Sequence, residues 1–160
     1  MFRFVVQHFR WLSRIPGFPQ FFDALLLAWT ALFHRQRLSA MEAIEGTALQ
    51  LPGVTLCVHR FGGVEFSISG RELGHLHGNG LLDVRVGCEN ARALLHAGRA
   101  ESHHALGHSA WVSFWVKSLD DVSNAMDLLK LAARVRSGGQ SADTRPINLP
   151  FCVQSPRKIP

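Results

Sequence analysis

Apolar and polar positions alternate from Val64 onward: Val64, Phe66 and Ile68 fall on one side, Glu65, Ser67 and Ser69 on the other. A period of two marks a strand with one buried face. Gly70-Arg71 then supplies a turn, residues 71–77 run out, Gly78-Asn79-Gly80 turns again, and residues 81–86 return. The stretch predicts two hairpins in series, with glycine where tight turns need a positive φ. Upstream, residues 54–61 predict a first strand, with Thr55, Cys57 and His59 facing opposite to Leu56, Val58 and Arg60. Downstream, residues 111–116 predict another, in which Trp111 and Trp115 alternate with Val112 and Phe114.

Between and around these strands the period lengthens to that of helices. Residues 20–37 predict one helix containing FFDALLLAWTALF, a run of thirteen residues with one charge. Residues 40–48 and 89–97 predict two short helices, the second stopped by Gly98. A last helix opens at Ser118 as cap, carries Asp120 and Asp121 in its first turn, and buries Val122, Ala125, Met126 and Leu129. Residues 137–160, with Gly138-Gly139 and four prolines, predict a disordered tail. The order of elements implies one α+β domain over residues 54–136: an antiparallel sheet with helices packed on one face, preceded by a helical segment over residues 1–53.

Register decides what the second hairpin presents. A two-residue Asn79-Gly80 turn sets the histidines beside Leu82 and Val84. A three-residue Gly78-Asn79-Gly80 loop opposes His77 to Leu81 and His75 to Asp83. The second is preferred because it gathers Leu76, Leu82, Val84 and Val86 on one apolar face. The other face then holds His75, His77, Asp83 and Arg85. Carried through Gly70-Arg71, this register puts Phe66, Ile68 and Leu73 on the histidine side. Either a bulge intervenes or the polar face is an apolar-walled pocket.

Charge adds a further constraint. The formal net charge is +5, and residues 1–38 hold five arginines against Asp23 alone. Basic ends suit an anionic surface. The apolar run falls short of the roughly 20 residues that span a bilayer, and His34-Arg35-Gln36-Arg37 stands where a signal peptide needs a cleavage site. Two readings stand: a helix packed on the domain, or an arginine-flanked helix lying in a membrane interface. Three scattered cysteines without a Cys-x-x-Cys spacing read as reduced thiols, which implies a cytoplasmic protein, at the inner face of the membrane in the second reading.

Six of the nine histidines lie between His75 and His108, which directs attention to this region. His75 and His77, two apart on a strand, share a face. With Asp83 and one of His103, His104 or His108 they make three or four metal ligands. The same residues suit general acid–base work, Asp83 orienting a ring and Arg85 holding an anionic oxygen. Glu72 reads as a solvated edge residue, and Trp111 as core or as a stacking face for a planar ligand.

Three ordered landmarks carry a family resemblance: Arg71-Glu72-Leu73-Gly74-His75-Leu76-His77, then Gly98-Arg99-Ala100-Glu101-Ser102-His103-His104, then Trp111-Val112-Ser113-Phe114 leading into the acidic-start helix. Over these landmarks, residues 64–136 resemble the luciferase domain of the fungal bioluminescence enzymes and their bacterial relatives. The resemblance implies oxidation of a hydroxylated pyrone by molecular oxygen, with no flavin or known metal requirement and hence no cofactor, and membrane attachment through the N-terminus. It implies His75, His77 and His103 as catalytic residues; the reading of the residues themselves adds Arg85 beside them and Asp83, His104 and Trp111 as substrate-binding. His104 stands where the fungal proteins carry proline, and the loop to Trp111 is shorter here. The expected partner is a small aromatic or enolisable molecule, with peripheral membrane contact through the first helix. An architectural likeness to small α+β domains of the YjbR type keeps a non-catalytic binding module as the alternative. Nucleic acid is not expected, because no aromatic-basic interleaving occurs.

Overall fold

The computed structural model describes residues 17–103 and 105–138. The expected tail lies almost wholly outside them, as does His104. Two helices come first, α1 (Phe18–Phe33) and α2 (Arg35–Ala48). Strands β1 (Val54–Val58), β2 (Val64–Ile68), β3 (Arg71–Leu76) and β4 (Leu81–Arg85) follow as a meander. Helix α3 (Cys88–His96) leads to β5 (Glu101–His103) and β6 (Gly107–Trp115), and a 3-10 turn (Leu119–Asp121) opens α4 (Val122–Gly138). The six strands form one antiparallel sheet in the order β1-β2-β3-β4-β6-β5. The expected α+β architecture is the one observed.

The register of the β3–β4 hairpin is the one that segregates the apolar residues. His75 pairs with Asp83 and Leu76 with Leu82, while the His77 N–H donates to the Leu81 carbonyl at 2.9 Å. Gly80, at φ 83°, closes the loop in the left-handed region. One face of the sheet thus presents Phe66, Leu76, Leu82, Val84 and Val112, all at most 1% exposed, to Ala40, Met41 and Ile44 of α2, Ala91 and Leu94 of α3, and Ala125, Leu129 and Ala132 of α4. The conflict at Leu73 is resolved by a bulge. Phe66 pairs with Gly74 and Ser67 with Glu72, so Leu73 is the extra residue and turns into the core. The bulge has a second effect: Glu72 and His75, three apart, both face away from the core.

Several boundaries differ from expectation. Residues 20–37 are not one helix. His34, at φ −136° and ψ 56°, breaks the chain into α1 and α2. That single non-helical residue lets α2 pack Ala40, Ile44 and Ala48 into the core, to which α1 contributes nothing. β5 was unforeseen, because three residues are too few to show alternation. Ser118 does cap the last helix, accepting from the Asp120 N–H while Asp121 reaches back to the Ser118 N–H at 3.2 Å. Cys57 is an exposed free thiol.

Helix α1 is inverted relative to an ordinary amphipathic helix. Its buried residues are Asp23 and Thr30, while Phe21, Leu25, Trp29 and Leu32 are 53–73% exposed. It crosses the β1–β2 and β3–β4 turns at very short range. A Cβ on Gly78 would lie 2.6 Å from the Asp23 carbonyl oxygen and 2.7 Å from the Leu27 nitrogen, and one on Gly62 would lie 2.3 Å from the Asp23 Cβ. Gly78 therefore serves less to turn the chain than to admit a helix backbone. Among the described residues no helix is long and apolar enough to cross a membrane.

Gly78→Ala is expected to lift α1 from the sheet at a cost of about 1–3 kcal/mol. Denaturant unfolding should record that loss, with hydrogen exchange accelerating in α1 before the strands. Unchanged stability and exchange would contradict the close seat.

Candidate functional site

The polar face of the sheet is built around Asp83, in the middle of β4 and 0% exposed. Its Oδ1 accepts a very short hydrogen bond from the Ser113 hydroxyl, the directly opposed residue on β6. Its Oδ2 lies 3.5 Å from His75 Nε2, 3.5 Å from His77 Nε2 and 3.6 Å from His103 Nε2. Strand alternation brings His75 and His77 there from β3. The short β5, ending at a bulge, delivers His103 from the far side of β6. All three histidines are at least 92% buried.

The outer nitrogen of each ring is also engaged, and those contacts set the tautomers. The His75 Nδ1–H donates to Glu72 Oε1 at 2.7 Å. His77 Nδ1 faces Asp23 Oδ1 at 3.5 Å, and the same oxygen accepts the Gly78 N–H at 2.9 Å. His103 is different. Its Nδ1 accepts the backbone N–H groups of Ala105 and Leu106, both at 3.1 Å. Only a lone pair can do that, so His103 carries its proton on Nε2, the nitrogen aimed at Asp83. His59, at the end of β1, stacks on His75 at 3.9 Å between ring centroids, with its Nε2 3.5 Å from Glu72 Oε1.

Burial and charge pull these groups in opposite directions. Burial works against the charged form of His77, but hydrogen bonding to Asp23 and Asp83 outweighs it, and the pKa rises to about 9. At His75 burial again opposes, while Asp83 and Glu72 prevail and the pKa is raised. For Glu72 burial favours the neutral acid, yet the His75 hydrogen bond and the nearby positive charges hold it below the usual carboxylate range. Burial, then the positive charge of His75, lowers His59 to about 4, so it is neutral at physiological pH. The Glu72 carboxylate opposes these effects at His59 but is outweighed.

Of the residues singled out from sequence, His75, His77, His103 and Asp83 come together. Trp111 lies beside them, half-buried, with its ring centroid 5.8 Å from those of His75 and His103. Arg85 shares the face by register with Trp111 but sits one pleat beyond Asp83. His104 lies outside the described residues. Asp83 sits at the centre of the cluster, too deeply buried to be only a substrate contact. Sequence reasoning missed Asp23, His59, Glu72 and Ser113. Glu72 is no solvated edge residue: it bridges His59 and His75. Among the described residues two sets of donors are close enough for a metal, His75–His77–Asp83 and His59–Glu72–His75.

In metal-free protein, ring NMR should show His77 keeping its proton up to about pH 9 and His59 gaining one only near pH 4. The raised pKa of His77 adds stability that is full below its unfolded value of about 6.5 and is lost as pH rises through 9. The lowered pKa of His59 removes stability as pH falls from about 6.5 through 4. Two rings titrating together near 6.5 would contradict this electrostatic arrangement.

Residues 70–132 match the family model described as Luciferase domain, in agreement with the resemblance drawn from the three landmarks. The matched span runs from the turn before β3 into α4, so it includes His75, His77, Asp83, His103 and Trp111 but neither Asp23 nor His59. No curated protein and no solved structure matches the chain.

Proposed function

We propose that this luciferase-domain protein binds a small aromatic or enolisable molecule at the Asp83 cluster and catalyses its oxygen-dependent oxidation. The observation behind the reading is the convergence of three imidazoles on one buried carboxylate oxygen, at 3.5, 3.5 and 3.6 Å. Burying so many ionisable groups costs stability that an apolar filling would not cost, so the cluster has a use other than packing. The reaction class is drawn from the resemblance to enzymes that oxidise a hydroxylated pyrone with molecular oxygen, and the luciferase-domain match supports that resemblance. In this reading His75, His77 and Asp83 form the reacting centre. The His103 Nε2–H donates to an anionic substrate oxygen, and Arg85, one pleat further on, adds positive charge. Trp111, less buried than the histidines beside it, offers its ring for stacking.

The inverted helix α1 supports a second part of the proposal: the protein rests on an anionic membrane surface. Phe21, Leu25, Trp29, Leu32 and Phe33 are exposed together, and the exposed Arg35 follows them directly. An apolar face flanked by arginine suits the headgroup boundary, and the buried face of the same helix carries Asp23 to the cluster. The protein would then work at the inner face of the cytoplasmic membrane, on a substrate that partitions there.

Oxygen uptake in the presence of hydroxypyrones and catechols tests the reaction. Activity is expected with at least one of them, falling roughly 100-fold or more in each of His75→Ala, His77→Ala and His103→Ala with the far-UV spectrum retained. Binding without oxygen uptake would reduce the protein to a ligand-binding module and contradict the oxidation.

Co-sedimentation with anionic vesicles tests the surface. Binding is expected at low salt, weakened by high salt and by Leu25→Glu or Leu32→Glu. No sedimentation at low salt would overturn the membrane contact.

A further inference from the structure

The arrangement of second partners around the cluster carries an inference about what occupies it. Ligand atoms held about 2.1 Å from one metal ion lie roughly 3–3.5 Å from each other. His75 Nε2 and His77 Nε2 each lie 3.5 Å from Asp83 Oδ2, near that spacing. Each of the three side chains is also anchored through its other polar atom. Glu72 Oε1 holds His75 Nδ1 at 2.7 Å, Asp23 Oδ1 faces His77 Nδ1 at 3.5 Å, and Ser113 donates to Asp83 Oδ1. A carboxylate on Nδ1 leaves Nε2 as the nitrogen that gives up its proton to an incoming metal, the arrangement metal-ligating histidines require.

His103 fails the same test. Because its Nδ1 accepts two backbone N–H groups, its Nε2 carries the proton and has no lone pair to give. The tautomers therefore divide three converging histidines into two ligands and one donor. The set with His59 fails for a different reason: the His75 nitrogen that faces Glu72 is Nδ1, which carries the proton it donates there.

We propose that His75 Nε2, His77 Nε2 and Asp83 Oδ2 bind a divalent first-row transition-metal ion. Two imidazoles and one carboxylate, with no thiolate, form the donor set that iron(II) takes in non-haem oxygenases, leaving other positions to water, oxygen or substrate. His103, whose protonated Nε2 lies 3.6 Å from Asp83 Oδ2, is then the hydrogen-bond donor beside the ligand set. Glu72 and Asp23 are positioning residues that act through the ligand rings. Asp23 comes from α1, so the metal site is incomplete without a helix outside the matched family span. The proposal goes beyond the oxidation reading, because metal binding is measured without substrate or turnover.

The test uses the full chain, stripped with chelator and titrated with cobalt(II) under argon, reading visible absorption and bound metal per chain. One ion per chain is expected, with affinity falling roughly 100-fold or more in His75→Ala and His77→Ala, and about 10- to 100-fold in Glu72→Gln. His103→Gln and His59→Ala should change it by no more than a few-fold. Circular dichroism checks each fold, and His77→Gln replaces His77→Ala if the latter fails to fold. No stoichiometric binding by the unaltered protein would overturn the proposal. So would a loss in His103→Gln as large as that in His77→Ala, since it would make the site a three-histidine centre. Cobalt binding without oxygen uptake on any substrate would retain the metal site and remove only the oxidation.

Discussion

A single carboxylate, Asp83, is fully buried on the polar face of the sheet, and the rest of the site follows from keeping it there. A buried anion must be paired and hydrogen-bonded on both oxygens or it unfolds its surroundings. Ser113 takes one oxygen, and three imidazoles surround the other. Those imidazoles are themselves buried and need partners, which recruits Glu72, Asp23 and the backbone of the loop after His103. The outcome is a network that reaches from β1 to β6 and draws in α1.

That dependence explains the inverted first helix. Its apolar residues do not join the core, which α2, α3 and α4 already fill. Its polar side is used instead: Asp23 closes the network over His77, and Gly62 and Gly78 in the β1–β2 and β3–β4 turns let the helix come close enough to do so. The buried side of α1 is polar and faces the site, and its exposed side is apolar.

The hairpin that carries His75, His77 and Asp83 was legible in the sequence because its apolar residues have only one register that segregates them. Leu76, Leu82, Val84 and Val86 decide it, and the polar pairing follows. Leu73 broke that pattern, and the conflict itself pointed to a bulge without locating it. His103 was reached through the family landmark, since a three-residue strand carries no period. Asp23 and His59 were illegible. An aspartate in an apolar helix gives no sign that it is the buried residue and its neighbours the exposed ones. The Asp23–Gly78 contact also joins positions 55 residues apart. Glu72 was misread for a related reason, because the bulge changes the face on which it lies.

The central claim is that Asp83 holds the three histidines as one unit. Long-range proton–nitrogen correlation spectra of the imidazole rings, compared between the unaltered protein and Asp83→Asn, test it most directly. The account predicts that the ring nitrogens of His75, His77 and His103 all shift in the variant, while His34 and His96 on the exposed surface stay fixed. Before substitution, His103 should already show a protonated Nε2. A response confined to one of the three rings, or a His103 protonated on Nδ1, would contradict it.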